Sequence, residues 1–393
     1  MTLRNIFSTL ITTLCLLTAP LHTNAPASKP RILLIHLAPW AGGDGVHSLS
    51  LYKMLKKHGY HVSMLVSSNS AISKQLIKEQ LTCHQARTSW YNTKELTELI
   101  KSLCRKEQIS IIHCNYKDEV PAAVNAAQAL QITSVFTYHL PYHFNTTMLK
   151  GLDSFICVNQ PYTHYFDQEN RINNLGVKNI AWTAPLYDIN RCIDPQTSPS
   201  RRDFFKQFNL TPQKGPVICM IGNMYDNLKH KNYPLLFQAI KELVYTKNKP
   251  IHVLIAGTGS TKKHLEQLAA KMNLNPYIHF LGFVQNIPDL LHHTDFMVLT
   301  SSQEAFGIAF LEAGLMKRAA IGAQDTGAES IILHEKTGLL FKKDDVADLV
   351  IQIERLIDNQ ELAQALGRAA YNHVNTNFNP EVIFSQIEAI YHQ

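Results

Sequence analysis

The sequence predicts an α/β protein built from two doubly wound domains that face each other across a cleft. The chain has 393 residues, which is more than one hydrophobic core usually serves. Strand-like and helix-like segments alternate in residues 31–187 and again from residue 215 onward, as repeated βαβ units do. Between the two series, residues 188–214 contain the Pro and Ser dipeptides that are typical of a linker.

The first series predicts a parallel sheet within residues 28–187. Its strand candidates are short, almost continuous apolar runs, which are typical of strands buried on both faces. The predicted strands are 31–37, 61–67, 110–115, 133–139 and 154–159. The predicted helices are 46–58, 93–107 and 119–130, and residues 41–45 form a turn before the first of them.

The second series predicts a similar domain within residues 215–375. Its predicted strands are 216–222, 251–257, 278–283, 296–300, 319–323 and 338–341. Its predicted helices are 232–247, 261–273, 287–292, 307–317, 344–357 and 360–374. Residues 376–393 add a last helix, at 380–391, which we expect to pack back toward the first domain. Open parallel sheets bind ligands at the carboxyl ends of their strands, so the cleft is where a site is expected.

Residues 1–27 stand apart from both domains. Arg4 precedes an apolar run at 6–21, and small residues follow in Ala25-Pro26-Ala27. This order favours a secretory signal peptide, since the run is short for a membrane-spanning helix. An uncleaved anchor is the alternative, because the charges that flank the run do not decide its orientation. Export, or membrane association through residues 6–21 with cytoplasmic domains, therefore both stay open.

The composition excludes several classes of protein. A hydrophobic content of 45% and a charged content of 17% are those of a globular protein. The net charge of +6 is spread along the chain, so no basic tract argues for nucleic acid. Seven cysteines include no CxxC pair, which argues against zinc and against a disulfide framework. No Asp-x-Asp follows a predicted strand, so we expect no divalent metal and no other cofactor.

Two carboxylates carry the strongest functional signal. Glu304 should lie on the loop that leaves the strand 296–300, and Glu312 in the helix that follows. The amides of Phe306, Gly307 and Ile308 would open that helix, and a helix N-terminus is suited to bind an anion. In the ordinary alternative, Glu304 only caps the helix and Glu312 is a solvated surface residue, but the apolar neighbours of Glu312 indicate a buried helix. The segment predicts a site for a phosphorylated, hydroxyl-rich ligand.

Three further positions follow predicted strands. The Gly43-Asp44 turn would let backbone amides approach a ligand, or would only cap a helix. Gly257 and Gly259 likewise allow a ligand-binding turn or a plain strand-to-helix turn. His139 ends a strand and should face the cleft, although a buried, satisfied histidine is the alternative. The cluster 138–143 around it is aromatic and would suit sugar faces.

These motifs occur in an order that resembles one family. The run Ser301–Glu312 resembles the E-x7-E motif of the retaining family 4 glycosyltransferases, which have the two-domain GT-B fold. The resemblance extends over residues 31–391, and an ordered set is more specific than any single motif. The other segments that carry it are Gly42-Gly43, Thr137–His139, Gly222–Asn232, Ile255–Gly259, Phe280–Val284, Asp325–Glu329, Thr337–Leu340 and Phe378–Tyr391.

The resemblance implies a role for each candidate residue. Glu304 would position the transferred sugar, His139 would contact it, and Lys231 would neutralise the departing diphosphate. The remaining residues would bind the nucleotide part of the donor, with Glu312 on the ribose: Glu312, Phe306, Gly307, Ile308, Asn223, Gly257, Gly259 and Gly43. Asn223 stands where the family has an arginine, and it brings hydrogen bonds but no charge. Lys229 and His230 are the neighbours that could supply the missing charge.

The resemblance implies transfer of a sugar from a nucleoside-diphosphate sugar to a carbohydrate or lipid-linked acceptor. No cofactor or metal is expected beside the donor. Three alternatives remain at the level of the sequence. They are a sugar-nucleotide epimerase of the same fold, a binding protein that has lost catalysis, as Asn223 would allow, and a non-enzymatic exported protein, as residues 1–27 would allow.

Overall fold

A computed structural model describes residues 29–38, 42–87, 92–139, 144–187, 198–211, 215–225 and 228–393. The leader at residues 1–27, most of the cluster 138–143 and the side chain of Lys229 lie outside this description. Within the described part of the chain, no helix has the length and apolar character needed to cross a membrane.

The first domain contains a parallel sheet of seven strands among its described residues, in the order β3-β2-β1-β4-β5-β6-β7. The strands are β1 Ile32–His36, β2 Val62–Ser67, β3 His84–Ala86, β4 Ile111–Cys114, β5 Thr133–Tyr138, β6 Ser154–Cys157 and β7 Asn179–Trp182. The helices are α1 Gly43–Lys57, α2 Ala71–Lys78, α3 Thr93–Glu107, α4 Val120–Leu130 and α5 Gln160–Ile172. Chain order reverses between β1 and β4, which places a topological switch point there.

The second domain repeats this plan with a six-stranded parallel sheet in the order β10-β9-β8-β11-β12-β13. The strands are β8 Val217–Ile221, β9 His252–Ala256, β10 Ile278–Gly282, β11 Phe296–Val298, β12 Ala319–Ala323 and β13 Leu339–Phe341. The helices are α6 Arg201–Lys206, α7 Leu228–Lys231, α8 Tyr233–Lys241, α9 Lys262–Lys271, α10 Ile287–His292, α11 Ile308–Leu315, α12 Val346–Asp358 and α13 Gln360–Asn377. The switch point lies between β8 and β11. The two sheets give the chain the predicted architecture of two Rossmann-like domains.

Several elements differ from the sequence-based expectations. Helix α1 begins at Gly43, not at residue 46, because Gly42 caps it in an extended conformation. Within the expected linker, α6 forms a helix whose Phe204 ring lies 4.7 Å from that of His293. The predicted helix 232–247 is regular only as far as Lys241, and its last turn is a π-helix.

Helix α14, Pro380–Tyr391, packs against the first domain although it follows the second. Its Phe384 ring stacks on His58 at 4.4 Å, and its Glu381 forms ion pairs with Lys57 and His58. The hydroxyl of Tyr391 lies 2.6 Å from Nδ1 of His113, which is a buried residue of β4. The helix therefore attaches the C-terminal end of the described residues to the first domain, which also contains their N-terminal end.

Candidate active site

A cavity of about 720 Å³ lies between the two domains. All the segments that line it follow the carboxyl ends of strands. In the first domain these are the segments after β1, β4, β5, β6 and β7, and in the second domain those after β8 and β11. Both switch points therefore open into the same space, which is where open parallel sheets bind their ligands.

Two helices begin at the wall of this cavity. Helix α1 starts at Gly43 and α11 starts at Ile308, and a side chain on Gly43 would meet Cδ1 of Ile308 at 3.4 Å. The two domains thus approach each other where the first turns of two helices begin. A negatively charged ligand in the cavity would lie near both helix N-termini.

The start of α11 depends on Gly307. This residue caps the helix with φ at 91°, a left-handed conformation that glycine adopts without a steric penalty. An added Cβ would lie 2.6 Å from Cδ2 of Phe310, so a larger residue would have to displace the Phe310 ring. The expected segment Phe306–Ile308 lines the cavity.

Glu304 and Lys231 form an ion pair inside the cavity. Nζ of Lys231 lies 2.7 Å from Oε2 of Glu304, and the Ser301 hydroxyl donates to the same oxygen at 3.1 Å. The Glu304 side chain is 11% exposed and that of Lys231 is 18% exposed. Burial alone would raise the pKa of Glu304, but Lys231, His230 and Ser301 together hold that pKa below its ordinary value. Glu304 is therefore ionised at neutral pH.

The backbone around Lys231 is fixed by β11. The Thr300 hydroxyl, just past β11, donates to the carbonyls of Lys231 and Asn232, each at 3.0 Å. Gly222, after β8, leaves room for the lysine stem, since a Cβ there would come within 3.2 Å of its Cδ and Cε. The sequence predicted Lys231 and Glu304 as separate site residues, and the structure brings them into contact.

Two neighbours of this pair also line the cavity. Asn223 lies exposed on the loop after β8. His230 precedes Lys231 in α7 and is half-buried. Burial and the adjacent Lys231 lower the pKa of His230, while Glu304 acts in the opposite direction.

Gly257 and Gly259 lie behind the cavity and are not among the residues that line it. A Cβ on Gly257 would come within 1.8 Å of the Gly222 carbonyl oxygen, and one on Gly259 within 1.9 Å of the Met224 carbonyl oxygen. The two loops are joined by a hydrogen bond from the Met224 amide to the Thr258 carbonyl at 2.8 Å. In this structure the glycines allow two backbone segments to meet, and their contact with a donor stays a prediction.

Glu312 lies four residues after Ile308, one turn further along α11. It is half-buried and does not line the cavity. Its predicted contact with a ribose therefore stays a prediction.

His139 lines the cavity from the end of β5. Its ring lies 4.7 Å from that of His47 on α1, whose Nδ1 accepts a hydrogen bond from the Leu186 amide at 2.9 Å. Burial lowers the pKa of His139 well below its usual range and that of His47 to about 3, so both imidazoles are neutral at physiological pH. His139 can therefore donate or accept one hydrogen bond per nitrogen.

Among the lining residues that were not singled out from the sequence are three with polar groups. Tyr116 and Lys117 follow β4, and Tyr225 follows β8. Only their positions in the sequence could have indicated them, because they come shortly after β4 and β8, and each of these strands borders a switch point. Among the residues that the structure describes, no group of three or more His, Cys, Asp or Glu side chains is placed to hold a metal ion.

Two family models match the chain, one in each domain. The model described as "Glycosyl transferases group 1" matches residues 201–373, and the model described as "Glycosyltransferase Family 4" matches residues 41–178. The chain is a group 1, family 4 glycosyltransferase.

Curated relatives of the glycosyltransferase agree with this assignment. N-acetyl-alpha-D-glucosaminyl L-malate synthase of Bacillus anthracis is 26% identical over 374 residues, which is 90% of this chain and 94% of the relative. A poly(ribitol-phosphate) alpha-N-acetylglucosaminyltransferase of Staphylococcus aureus is 23% identical and covers 73% of this chain and 56% of the relative.

Solved structures share the fold of the glycosyltransferase. A glycosyltransferase from Rickettsia africae superposes with a TM-score of 0.77 at 21% identity, over 93% of this chain and 98% of that one. Anabaena HepE in complex with UDP-glucose superposes with a TM-score of 0.78 at 18% identity, over 92% and 99% of the two chains. These neighbours establish the GT-B fold of two Rossmann-like domains.

Proposed function

We propose that the glycosyltransferase moves a sugar from a nucleoside-diphosphate sugar to an acceptor hydroxyl with retention of the anomeric configuration. The observation that carries this proposal is the Lys231–Glu304 ion pair beside the start of α11. It places a cation, a carboxylate and a helix N-terminus on one wall of a cavity between two domains. The volume of about 720 Å³ is in the range of small-ligand sites.

The donor occupies the wall formed by the second domain. Its diphosphate lies against the amides of Phe306–Ile308 and beside Lys231, while Glu312 accepts hydrogen bonds from the ribose hydroxyls. Lys231 then has two anionic partners, Glu304 and the diphosphate. This arrangement is supported by the distance of 2.7 Å between Nζ of Lys231 and Oε2 of Glu304. Glu304 lies on the loop just before α11, so the ion pair keeps the ammonium group beside that loop.

The chemical step breaks the bond between the anomeric carbon and the diphosphate oxygen. The electron pair of that bond goes to the diphosphate, and Lys231 and the helix N-terminus stabilise the charge that develops there. Glu304 supports the positive charge at the anomeric carbon. The acceptor hydroxyl attacks from the face that the diphosphate leaves, and its proton passes to the departing phosphate oxygen. No metal or organic cofactor enters this scheme.

The acceptor enters from the first domain. His139, Tyr116 and Asp44 line that side, and they offer hydrogen-bond donors, acceptors and one aromatic face. A carbohydrate or lipid-linked acceptor fits this chemistry, since hydroxyl groups pair with neutral imidazole and carboxylate groups and sugar faces pack on aromatic rings.

A ligand screen followed by product analysis tests the proposal. The full chain is heated with UDP-, GDP- and ADP-sugars, and one of them should raise the melting temperature. That sugar nucleotide is then incubated with a panel of glycan and lipid acceptors, and the anomeric configuration of the product is read by NMR. Absence of any stabilisation contradicts the nucleotide site, and an inverted product contradicts retention.

A further inference from the structure

The cavity holds few cations for a ligand that carries a diphosphate. Among the described residues that line it, the protonatable nitrogen groups are Lys117, His139, His230 and Lys231. Nζ of Lys231 is already paired with Oε2 of Glu304 at 2.7 Å, and Nζ of Lys117 lies 3.5 Å from Oδ1 of Asp118. His139 is neutral. Asn223 lines the same wall and carries no charge, so a second cation for the donor would be supplied by another residue.

We propose that His230 takes up a proton when the donor binds and becomes the second cation of the diphosphate site. This inference rests on the proposed function. His230 and Lys231 are consecutive residues of α7, and both side chains reach the cavity wall that Asn223 and Gly307 also form. The protonated imidazole would take the place of a permanent arginine charge.

The electrostatic neighbours of His230 make this change of state depend on the ligand. On its own element Lys231 opposes protonation, and from the loop before α11 Glu304 favours it. Tyr225 lies on the loop after β8, and Asp44, Lys117 and His139 lie across the cavity. Burial and Lys231 prevail over Glu304 and hold the pKa of His230 below its ordinary value. A bound diphosphate adds anionic charge to the same wall, so it raises that pKa.

The sign of the pH dependence follows from this shift. Binding raises the pKa of His230, so the complex holds more protons than its free components at pH values between the two pKa values. Donor affinity therefore rises as pH falls through the pKa of the complex, and it levels off below the pKa of the free protein. Each unit by which the pKa rises corresponds to about a tenfold change in affinity across this range.

Calorimetry with UDP-glucose, GDP-mannose and ADP-glucose tests the inference. The diphosphate of these compounds has no ionisation near neutral pH, so any proton that is taken up comes to the protein. Heats of binding are measured at about pH 6, 7 and 8, where an imidazole titrates, in buffers of different ionisation enthalpy. The wild type should take up a fraction of a proton at about pH 7 and should bind about three- to tenfold more weakly at about pH 8 than at about pH 6.

Two variants and one control separate charge from shape. His230→Gln should lose the proton uptake and the pH dependence. The double variant His230→Gln with Asn223→Arg should recover affinity without proton uptake, because its cation is permanent. His264→Gln removes an exposed histidine of α9 that does not line the cavity, and it should behave as the wild type.

The outcomes distinguish the inference from the proposed function. If none of the three compounds binds the wild type at any pH, the nucleotide site itself is wrong. If one binds and His230→Gln shows the same proton uptake as the wild type, or if the wild type shows none, His230 is not the second cation. Melting curves of each variant exclude misfolding as the cause of any loss.

Discussion

Glu304 and Lys231 form a mostly buried ion pair in which the two charges neutralise each other. At 11% and 18% exposure the pair is neither a surface ion pair, whose contribution is small, nor completely removed from solvent. Because the pKa of Glu304 is lowered in the folded chain, its ionisation favours folding above the pKa of the unfolded state. That contribution is lost as pH falls through the pKa of the folded state.

Glu304→Gln should reduce sugar transfer about a hundredfold or more while the fold is retained, because loss of one fixed electrostatic contact to a reacting centre costs about this much. Initial rates with the matching donor and acceptor give the measurement. Glu266→Gln, which removes a carboxylate from an exposed helical ion pair with Lys262, is the matched control and should leave the rate unchanged. Normal turnover by the Glu304 variant would remove this residue from the proposed mechanism.

Glu312→Ala should weaken nucleotide binding about 10- to 100-fold, because a charged hydrogen bond to a hydroxyl contributes about 1.5–3 kcal/mol. Calorimetry with the donor and with its free nucleoside diphosphate provides the affinities. Both ligands should be affected equally, since the predicted contact is with the ribose that they share. Unchanged affinity would place Glu312 outside the nucleotide site.

At the scale of elements, the site depends on where helix α11 begins. The helix is capped by Gly307, whose φ is 91°. The Phe310 ring lies so close that it leaves no room for a Cβ on this glycine. The first amides of the helix can face the cavity only while that turn keeps its shape. The conformation of Gly307 therefore connects a backbone angle with the binding of an anion.

Gly307→Ala should therefore destabilise the protein and abolish donor binding. An alanine in the left-handed region costs about 1–2 kcal/mol, and the contact with Phe310 adds to this cost. Gly59→Ala is the matched control, since Gly59 has φ of 74° and nothing within 4 Å of an added Cβ. Urea unfolding should show a loss in both variants and a larger one for Gly307→Ala, whereas only that variant should lose the thermal shift with the donor. Equal effects on binding would contradict the role of the α11 start.

The sequence predicted the strands of the second sheet, including its edge strands β10 and β13, and the inner strands of the first sheet, but it missed both edge strands of the first sheet. Strands β1 and β9 are apolar runs bounded by turns, so their pattern is local. Strands β3 and β7 were not predicted, because they are short edge strands with partly exposed residues and need only pair on one side. Their existence depends on the neighbouring strand rather than on their own composition.

In the candidate site, the sequence predicted individual residues but not the contacts between them. Glu304, Lys231 and Gly307 were singled out because each lies in a motif with a fixed place along the chain. The contact of Lys231 with Glu304 was not predicted, since 73 residues separate them and the register of β8 with β11 brings them together. Whether Glu312 or Gly257 lines the cavity depends on how the domains approach each other, which a local pattern does not contain.

At the scale of the whole molecule, α14 attaches the end of the described chain to the first domain. Its exposed contacts include the ion pairs of Glu381, and its buried contacts include that of Tyr391 with His113. Nε2 of His113 lies 2.7 Å from the Thr137 hydroxyl on β5, two residues before His139. The helix thus ends next to the strand that carries a candidate site residue.

Tyr391→Phe should lower the free energy of unfolding by about 1–2 kcal/mol, because it leaves a buried ring nitrogen of His113 without its partner. Glu381→Gln is the control on the same helix, and its exposed pairs should contribute less than about 1 kcal/mol. Chemical unfolding monitored by fluorescence measures both. A smaller effect for the tyrosine variant than for the glutamate variant would show that the buried contact does not hold the helix.

The position of α14 also has a consequence for biosynthesis. A ribosome makes the strands of the first domain early, yet the helix whose Tyr391 contacts His113 emerges only after the whole second domain has been translated. Until then, the rings of His58 and Tyr60, which Phe384 contacts in the folded chain, lack this partner. Nascent chains of increasing length should therefore be bound by chaperones around these rings, and resistance of the first domain to proteases should appear only once residues 380–391 have left the exit tunnel.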